Sequence, residues 1–316
     1  MEGPVAGYTQ LALASPTPPA EVVTRAEWAS TNLDSLSHIL DPVAARLDDR
    51  LAFAGPLAGA LRVGASATLA AEIGLVMGYM STRVLGQYDV SLLGAETEPR
   101  LLFVSPNVAH AVRDLDVEAE AFGRWISAHE LTHVFQFQGV PWLREHMSGL
   151  LRRYVETLEV RIQKGSAGGL PSLPDPARLI ETFRDGGLAA LVQNPEQRAL
   201  MEEVQAAMSV VEGYAEHVMD AIAPDVIPGH EELRAAMDRR RRSRSAPQRI
   251  IERLLGFDVK LRQYEQGKSW ADAVVDSAGI EGLNRVWSSP DALPSSDELQ
   301  HPGQWLERVS ATAGAA

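Results

Sequence analysis

Apolar residues recur at three- and four-residue steps along most of this chain, the period of a helix packed on one side. Trp28, Leu33, Leu36, Ile39, Leu40 and Val43 set that rhythm from about Ala20 to Leu51, with a break near Pro42. A second helical region runs from Leu57 to Tyr79, and its Gly and Ala content predicts close helix contact. The pattern then changes. Gln87 to Leu93 and Arg100 to Ser105 are short runs separated by a charged Gly/Pro loop, and predict two strands paired as a hairpin.

Helical periodicity returns at Asp114 and predicts one long helix to Gln138. Gly139-Val140-Pro141 ends it, and Pro141 suits the start of the next helix, from Trp142 to about Gln163. Residues 164–176 read as the clearest linker. Pro195 to Ala223 is another long helix, capped by Asn194. A polar helix after Pro228-Gly229 ends in the basic run Arg239 to Arg244, a solvated helix end. Ile250 to Ser310 reads as several short helices. The fold class expected is mainly α with a small β-sheet (α+β). Residues 1–20 carry four prolines and predict an extended arm; residues 21–316 then form one domain, or one with a helical C-terminal subdomain from about 229.

The helix predicted over 114–138 contains Trp125-Ile126-Ser127-Ala128-His129-Glu130-Leu131-Thr132-His133-Val134-Phe135-Gln136-Phe137. Four residues turn a helix through about 400°, so His129 and His133 leave one face roughly 40° apart. That spacing lets two imidazoles hold one zinc ion, with Glu130 placed as general base toward an activated water. The apolar flanks leave no ordinary reason to bury two His and a Glu. Unpaired, each would cost about 1–3 kcal/mol.

Composition narrows the partners. Lys+Arg 29 against Asp+Glu 42 gives a net charge of −13, which argues against nucleic-acid binding. No cysteine is present, so a zinc site must be built from His, Asp or Glu, and a reducing cytoplasm is the expected setting. The first basic residue is Arg25, so no secretory leader is predicted, and the apolar run from Gly64 to Met80 falls short of a membrane span.

A catalytic zinc site usually takes three protein ligands. The metzincin continuation is absent, because Gln136 and Gly139 stand where Gly and His are needed. A glutamate from another helix is therefore expected. Glu156 and Glu159 lie one helix downstream; Glu212 lies further on, in Glu212-Gly213-Tyr214-Ala215-Glu216. Glu212 is preferred. Gly213 costs about 1 kcal/mol of helix propensity, which implies a close approach there. Glu212, Glu216 and Asp220 also share one face. Glu212 then ligates the metal while Glu216 accepts the N–H of a ligating His. His217 points about 100° away from Glu216 and is not preferred as a ligand. Tyr154, Tyr214 and His146 are candidate oxyanion donors.

His129-Glu130-Leu131-Thr132-His133 followed by Glu212-Gly213-Tyr214-Ala215-Glu216 resembles the Glu-zincin type of zinc metallopeptidase. More closely, the chain resembles an actinobacterial zincin-like metallopeptidase family of hydrolases associated with deazaflavin-coenzyme biosynthesis. The matching stretches are His129 to His146, Val211 to Asp220, Lys260 through Trp270, and Val286 to Leu306. The resemblance implies a zincin-like fold and a zinc-dependent hydrolase of peptide or amide bonds. An inactive zincin scaffold, or a hydrolase of non-peptide amides or esters, are the alternatives. In such peptidases a strand edge near the metal helix holds extended substrate, and the strands over 87–105 are the candidates for that role.

Overall fold

The computed structural model describes residues 1–37, 58–92, 97–157, 195–242 and 257–313. The elements are α1 (Glu2–Thr9), β1 (Ala20–Val23), α2 (25–37), α3 (Ala58–Ser81), β2 (Gly86–Asp89), β3 (Arg100–Val104), α4 (Ser105–Leu115), α5 (Ala119–Gly139), α6 (Leu143–Thr157), α7 (Pro195–Val226), α8 (His230–Arg242), α9 (Phe257–Asn284), α10 (Ser296–Gln300) and α11 (Pro302–Ala313). Among the described residues the chain is mostly helical with one small sheet, as its periodicity predicts. The expected linker over 164–176, the helix over 38–51, Asn194, Glu159, the end of the basic run at Ser243 and Arg244, and Leu254 lie outside the described residues.

The sheet has the order β1-β3-β2, with β1 parallel and β2 antiparallel to β3. Val22, Phe103 and Gly86 form one row across it. Alternation along the strands gives it two faces. Val23, Leu102 and Val104 pack with Trp28 of α2 and Met77 of α3. Tyr88 and Leu101, on the other face, join the large core that contains Phe122, Trp125 and Phe135 of α5. One continuous buried cluster runs from Val5 near the start to Val309 near the end.

α5 is buried along most of its length. The sheet covers one flank and α7 another. α7 in turn packs on α9, and the two helices come into backbone contact at glycines. A Cβ placed on Gly213 would stand 2.1 Å from the carbonyl carbon of Gly267, and one on Gly267 would stand 1.9 Å from Ser209 O. The helix-propensity cost of Gly213 is thus matched by a close approach, as expected.

Four expectations are corrected. Residues 1–20 are not a uniformly extended arm: Val5 and Thr9 of α1 are fully buried. Pro4 falls in the first turn, where its missing N–H is not needed. The other prolines follow the helix. Ala20–Val23 is a strand and not the start of a helix, which begins only at residue 25. The helix expected from 114 to 138 is two helices. Asp116 has φ 52°, in the left-handed region that Asp tolerates, and it breaks α4 from α5. The C-terminal part is likewise less fragmented than its periodicity suggests, since α9 spans Phe257–Asn284 with a bend at Gly279, φ 69°.

Candidate metal centre

α5 carries His129 and His133 on the face turned to α7. Their rings meet edge to face at 87°, with Nε2 atoms 3.2 Å apart. Glu212 of α7 brings Oε2 to 3.5 Å from His129 Nε2 and 3.6 Å from His133 Nε2. Among the described residues this is the His/Asp/Glu group whose ligand atoms, all within 4.8 Å of one another, could hold a metal ion. Ligand atoms about 2.0–2.1 Å from a tetrahedral centre lie about 3.3–3.4 Å apart, and the three measured separations bracket that figure. Glu212 Oε2 is buried and makes no hydrogen bond within the protein. A buried carboxylate oxygen left in that state is unfavourable unless a cation completes it.

Electrostatics agree with the geometry. Burial alone would lower the His129 pKa. The contact with Glu212 and the charges of Glu130, Glu212 and Glu216 outweigh it and push it up to about 9. Burial likewise opposes ionisation of Glu212, but His129 and His133 hold its carboxyl well below the ordinary range. The pocket is therefore arranged around positive charge. A proton on His129 and a metal ion compete for the same electron pair.

Tautomer choice at His133 is built in. Gln136, fully buried one turn on, donates from Nε2 to Val211 O at 2.8 Å, which turns its Oε1 toward His133 Nδ1, also at 2.8 Å. The amide oxygen accepts the Nδ1–H and leaves the Nε2 lone pair facing Glu212 and His129. Sequence reasoning gives Gln136 no role at the metal; its position three residues after His133, on the same helix face, is the signal that could have found it.

Glu130 is buried, and burial raises its pKa against the charges of His129 and His133. Its Oε2 accepts the Tyr88 N–H of β2 at 3.0 Å. The strands expected near the metal helix are there, but the Tyr88 donor is engaged by Glu130 and not left for an extended ligand. Glu216 is buried on the same face of α7, with Arg234 Nη1 4.0 Å from its Oε2. Asp220, the third acid of that face, pairs with Arg234 and with Lys268, the latter at 3.1 Å. Glu156 is an exposed residue of α6.

The remaining candidates separate clearly. Tyr214 is fully buried, donates its hydroxyl to Asn284 Oδ1 at 2.8 Å, and is thereby removed as an oxyanion donor. His146 packs edge-on against Trp142. Tyr154 is half-buried on α6. Both ring nitrogens of His217 are engaged, Nε2 with Tyr8 Oη and Nδ1 with Asp272 Oδ1, each at 2.7 Å. Lys268 Nζ donates to the other Asp272 oxygen at 2.6 Å. This network ties α1, α7 and α9 together.

No helix among the described residues is long and apolar enough to cross a membrane. No curated protein matches the chain. A crystal structure from Chloroflexus aurantiacus matches it with TM-score 0.69 and 33% identity, over 98% of this chain and 86% of that one. That protein is described as having a novel fold, and its own assignment as a hydrolase is provisional. The family model for zincin-like metallopeptidases matches residues 1–306, a match that carries neither an actinobacterial origin nor a tie to deazaflavin coenzymes. With that match running through both the paired histidines and the distant glutamate, the chain belongs to the zincin-like metallopeptidase family.

Proposed function

We propose that the protein is a zinc-dependent hydrolase that cleaves a peptide or other amide bond. The observation that carries this reading is the triangle of His129 Nε2, His133 Nε2 and Glu212 Oε2, with edges of 3.2, 3.5 and 3.6 Å. Its edges suit a small tetrahedral ion, and its donor set of two imidazoles and one carboxylate suits zinc over the harder Mg²⁺ or Ca²⁺. When bound there, zinc would polarise a carbonyl and acidify a water.

The chain's own residues supply the rest. Gln136 fixes the His133 ring, and Glu216 adds negative charge behind His129. Glu130 is the proton acceptor. Burial holds its pKa up, so it can take a proton from a water nucleophile and return it to the leaving amine. A chain without cysteine suits the reducing cytoplasm.

The test pairs elemental analysis with a hydrolysis screen over internally quenched peptides and small amides. The wild type should hold one zinc per chain and His129→Ala none. Glu130→Gln should keep zinc and lose turnover by roughly 100-fold or more. Stoichiometric zinc in His129→Ala would move the site elsewhere, and full turnover by Glu130→Gln would refute the base assignment. One zinc with no turnover on any probe would favour a scaffold role.

A further inference from the structure

Strand β2 crosses α5 at Glu130, and the two are in unusually close contact. A Cβ built on Gly86 would stand 2.7 Å from Glu130 Cγ, 2.7 Å from Oε1 and 2.9 Å from Cδ. Two residues on, at the edge of β2 that does not pair with β3, the Tyr88 N–H donates to Glu130 Oε2 at 3.0 Å. Gly86 is not among the glycines with positive φ, which are Gly229 and Gly279 among the described residues. Its lack of a side chain therefore serves space and not backbone conformation.

The strand is held from behind. Gly86 pairs with Phe103 and Tyr88 with Leu101 of β3. Gln87, on the opposite face, accepts from Trp28 Nε1 at 2.6 Å and donates to Asn32 Oδ1 at 3.1 Å. A strand pinned on its paired edge and its far face can hold its free edge and near face still against Glu130.

We infer that Gly86 and the Tyr88 amide are the positioning residues for the Glu130 carboxylate. The amide fixes one oxygen, and the missing side chain at 86 leaves room for Cγ, Cδ and the other. The inference rests on the reading of Glu130 as proton acceptor. The atoms that a methyl group at 86 would strike, from Cγ outward, belong to a rotatable side chain and not to backbone. Ala at 86 is thus relieved by swinging Glu130 away, with the sheet and the metal triangle left in place.

Gly86→Ala should keep one zinc per chain and the wild-type circular dichroism. On the best-cleaved quenched peptide, kcat should fall 10-fold or more while KM stays within 2-fold, because a displaced proton acceptor spoils the reaction and not the binding. Deuterium uptake in the segment Leu85–Val90 should quicken about 10-fold in both Gly86→Ala and Glu130→Ala, since each releases the Tyr88 amide. Wild-type kcat in Gly86→Ala, or uptake unchanged in both variants, overturns the inference. If the wild type cleaves no probe, the proposed function fails while the uptake comparison still decides whether β2 clamps Glu130. If Gly86→Ala does not fold, uptake in Glu130→Ala decides it alone.

Discussion

The contact between Gly213 and Gly267 links the fold to the site. Gly213 is the residue after Glu212, so any shift of α7 there moves the third arm of the metal triangle. A methyl at 213 would sit 2.1 Å from the Gly267 carbonyl carbon and 2.4 Å from its oxygen. Carbon atoms rest at about 3.5–4.0 Å, so the helices must part by roughly 1.4 Å or more at this point. The obstructing atoms are backbone and cannot rotate aside. Overpacking of this kind costs about 1–3 kcal/mol or more, against about 1 kcal/mol gained from replacing Gly by Ala in a helix. A net loss of about 1–2 kcal/mol, the upper part of that difference, should lower Tm by roughly 1.5–3 °C in a protein of 316 residues. The metal site should suffer more. Ligand distances tolerate about ±0.2 Å, so a displacement several times larger should weaken zinc at least 10-fold in a chelator competition. Gly123→Ala is the control. Gly123 lies on α5, and a Cβ built there meets nothing within 4 Å, so this variant should gain up to about 1 kcal/mol. If Gly213→Ala matches the wild type in both Tm and zinc affinity, or moves with Gly123→Ala, the close crossing does not set the position of Glu212.

Two further outcomes follow from the polar network. Gln136→Leu should weaken zinc by about 10- to 100-fold, because His133 loses the acceptor for its Nδ1–H; it should also cost about 0.5–1.5 kcal/mol for the lost bond to the Val211 carbonyl, which keeps its helical partner. Chelator competition and thermal melts read these separately, and unchanged zinc affinity would remove Gln136 from the site. Asp272 gives a pH signature. Burial would raise its pKa, but the bonds from His217 and Lys268 prevail and lower it. A carboxyl depressed in the folded state stabilises above its unfolded pKa of about 3.9, and that contribution is lost as pH falls through the folded value. Asp272→Asn should therefore melt below the wild type at pH 6–7, with the gap closing as pH falls below about 4. A constant gap down to pH 3 would contradict the assignment.

The parts of this site legible in the chain were those expressed as periodicity on one helix. His129 and His133 were legible because four residues return a helix to the same face. Glu212 was legible because a glycine beside it made no sense in a helix without a close neighbour. The approach was real, but the neighbour is Gly267, so the inference reached the right helix through a helix crossing and not through the metal. The acid stripe divides: Glu212 faces the two histidines, while Asp220 is held by Arg234 and Lys268. Periodicity could show that the three acids share a face, but not which cation each one meets, because those cations come from α8 and α9.

What stayed hidden depends on contacts between segments far apart in the chain. Helix α1 was hidden by Pro4 and the three prolines that follow it, and it docks where Tyr8 meets His217, 209 residues away. The clamp on Glu130 is equally non-local, joining positions 42 residues apart through a backbone N–H that has no side-chain signature. Gly86 left no trace either, since it stands one residue before the run predicted from Gln87 and is the first residue of β2. Glu130, the proposed general base, is thus set by the least readable kind of contact, and the pair His129 and His133 by the most readable. That asymmetry has a physical origin: two histidines one helical turn apart are aligned by local geometry alone, whereas a single carboxylate rotamer can be fixed by any rigid strand that comes near enough.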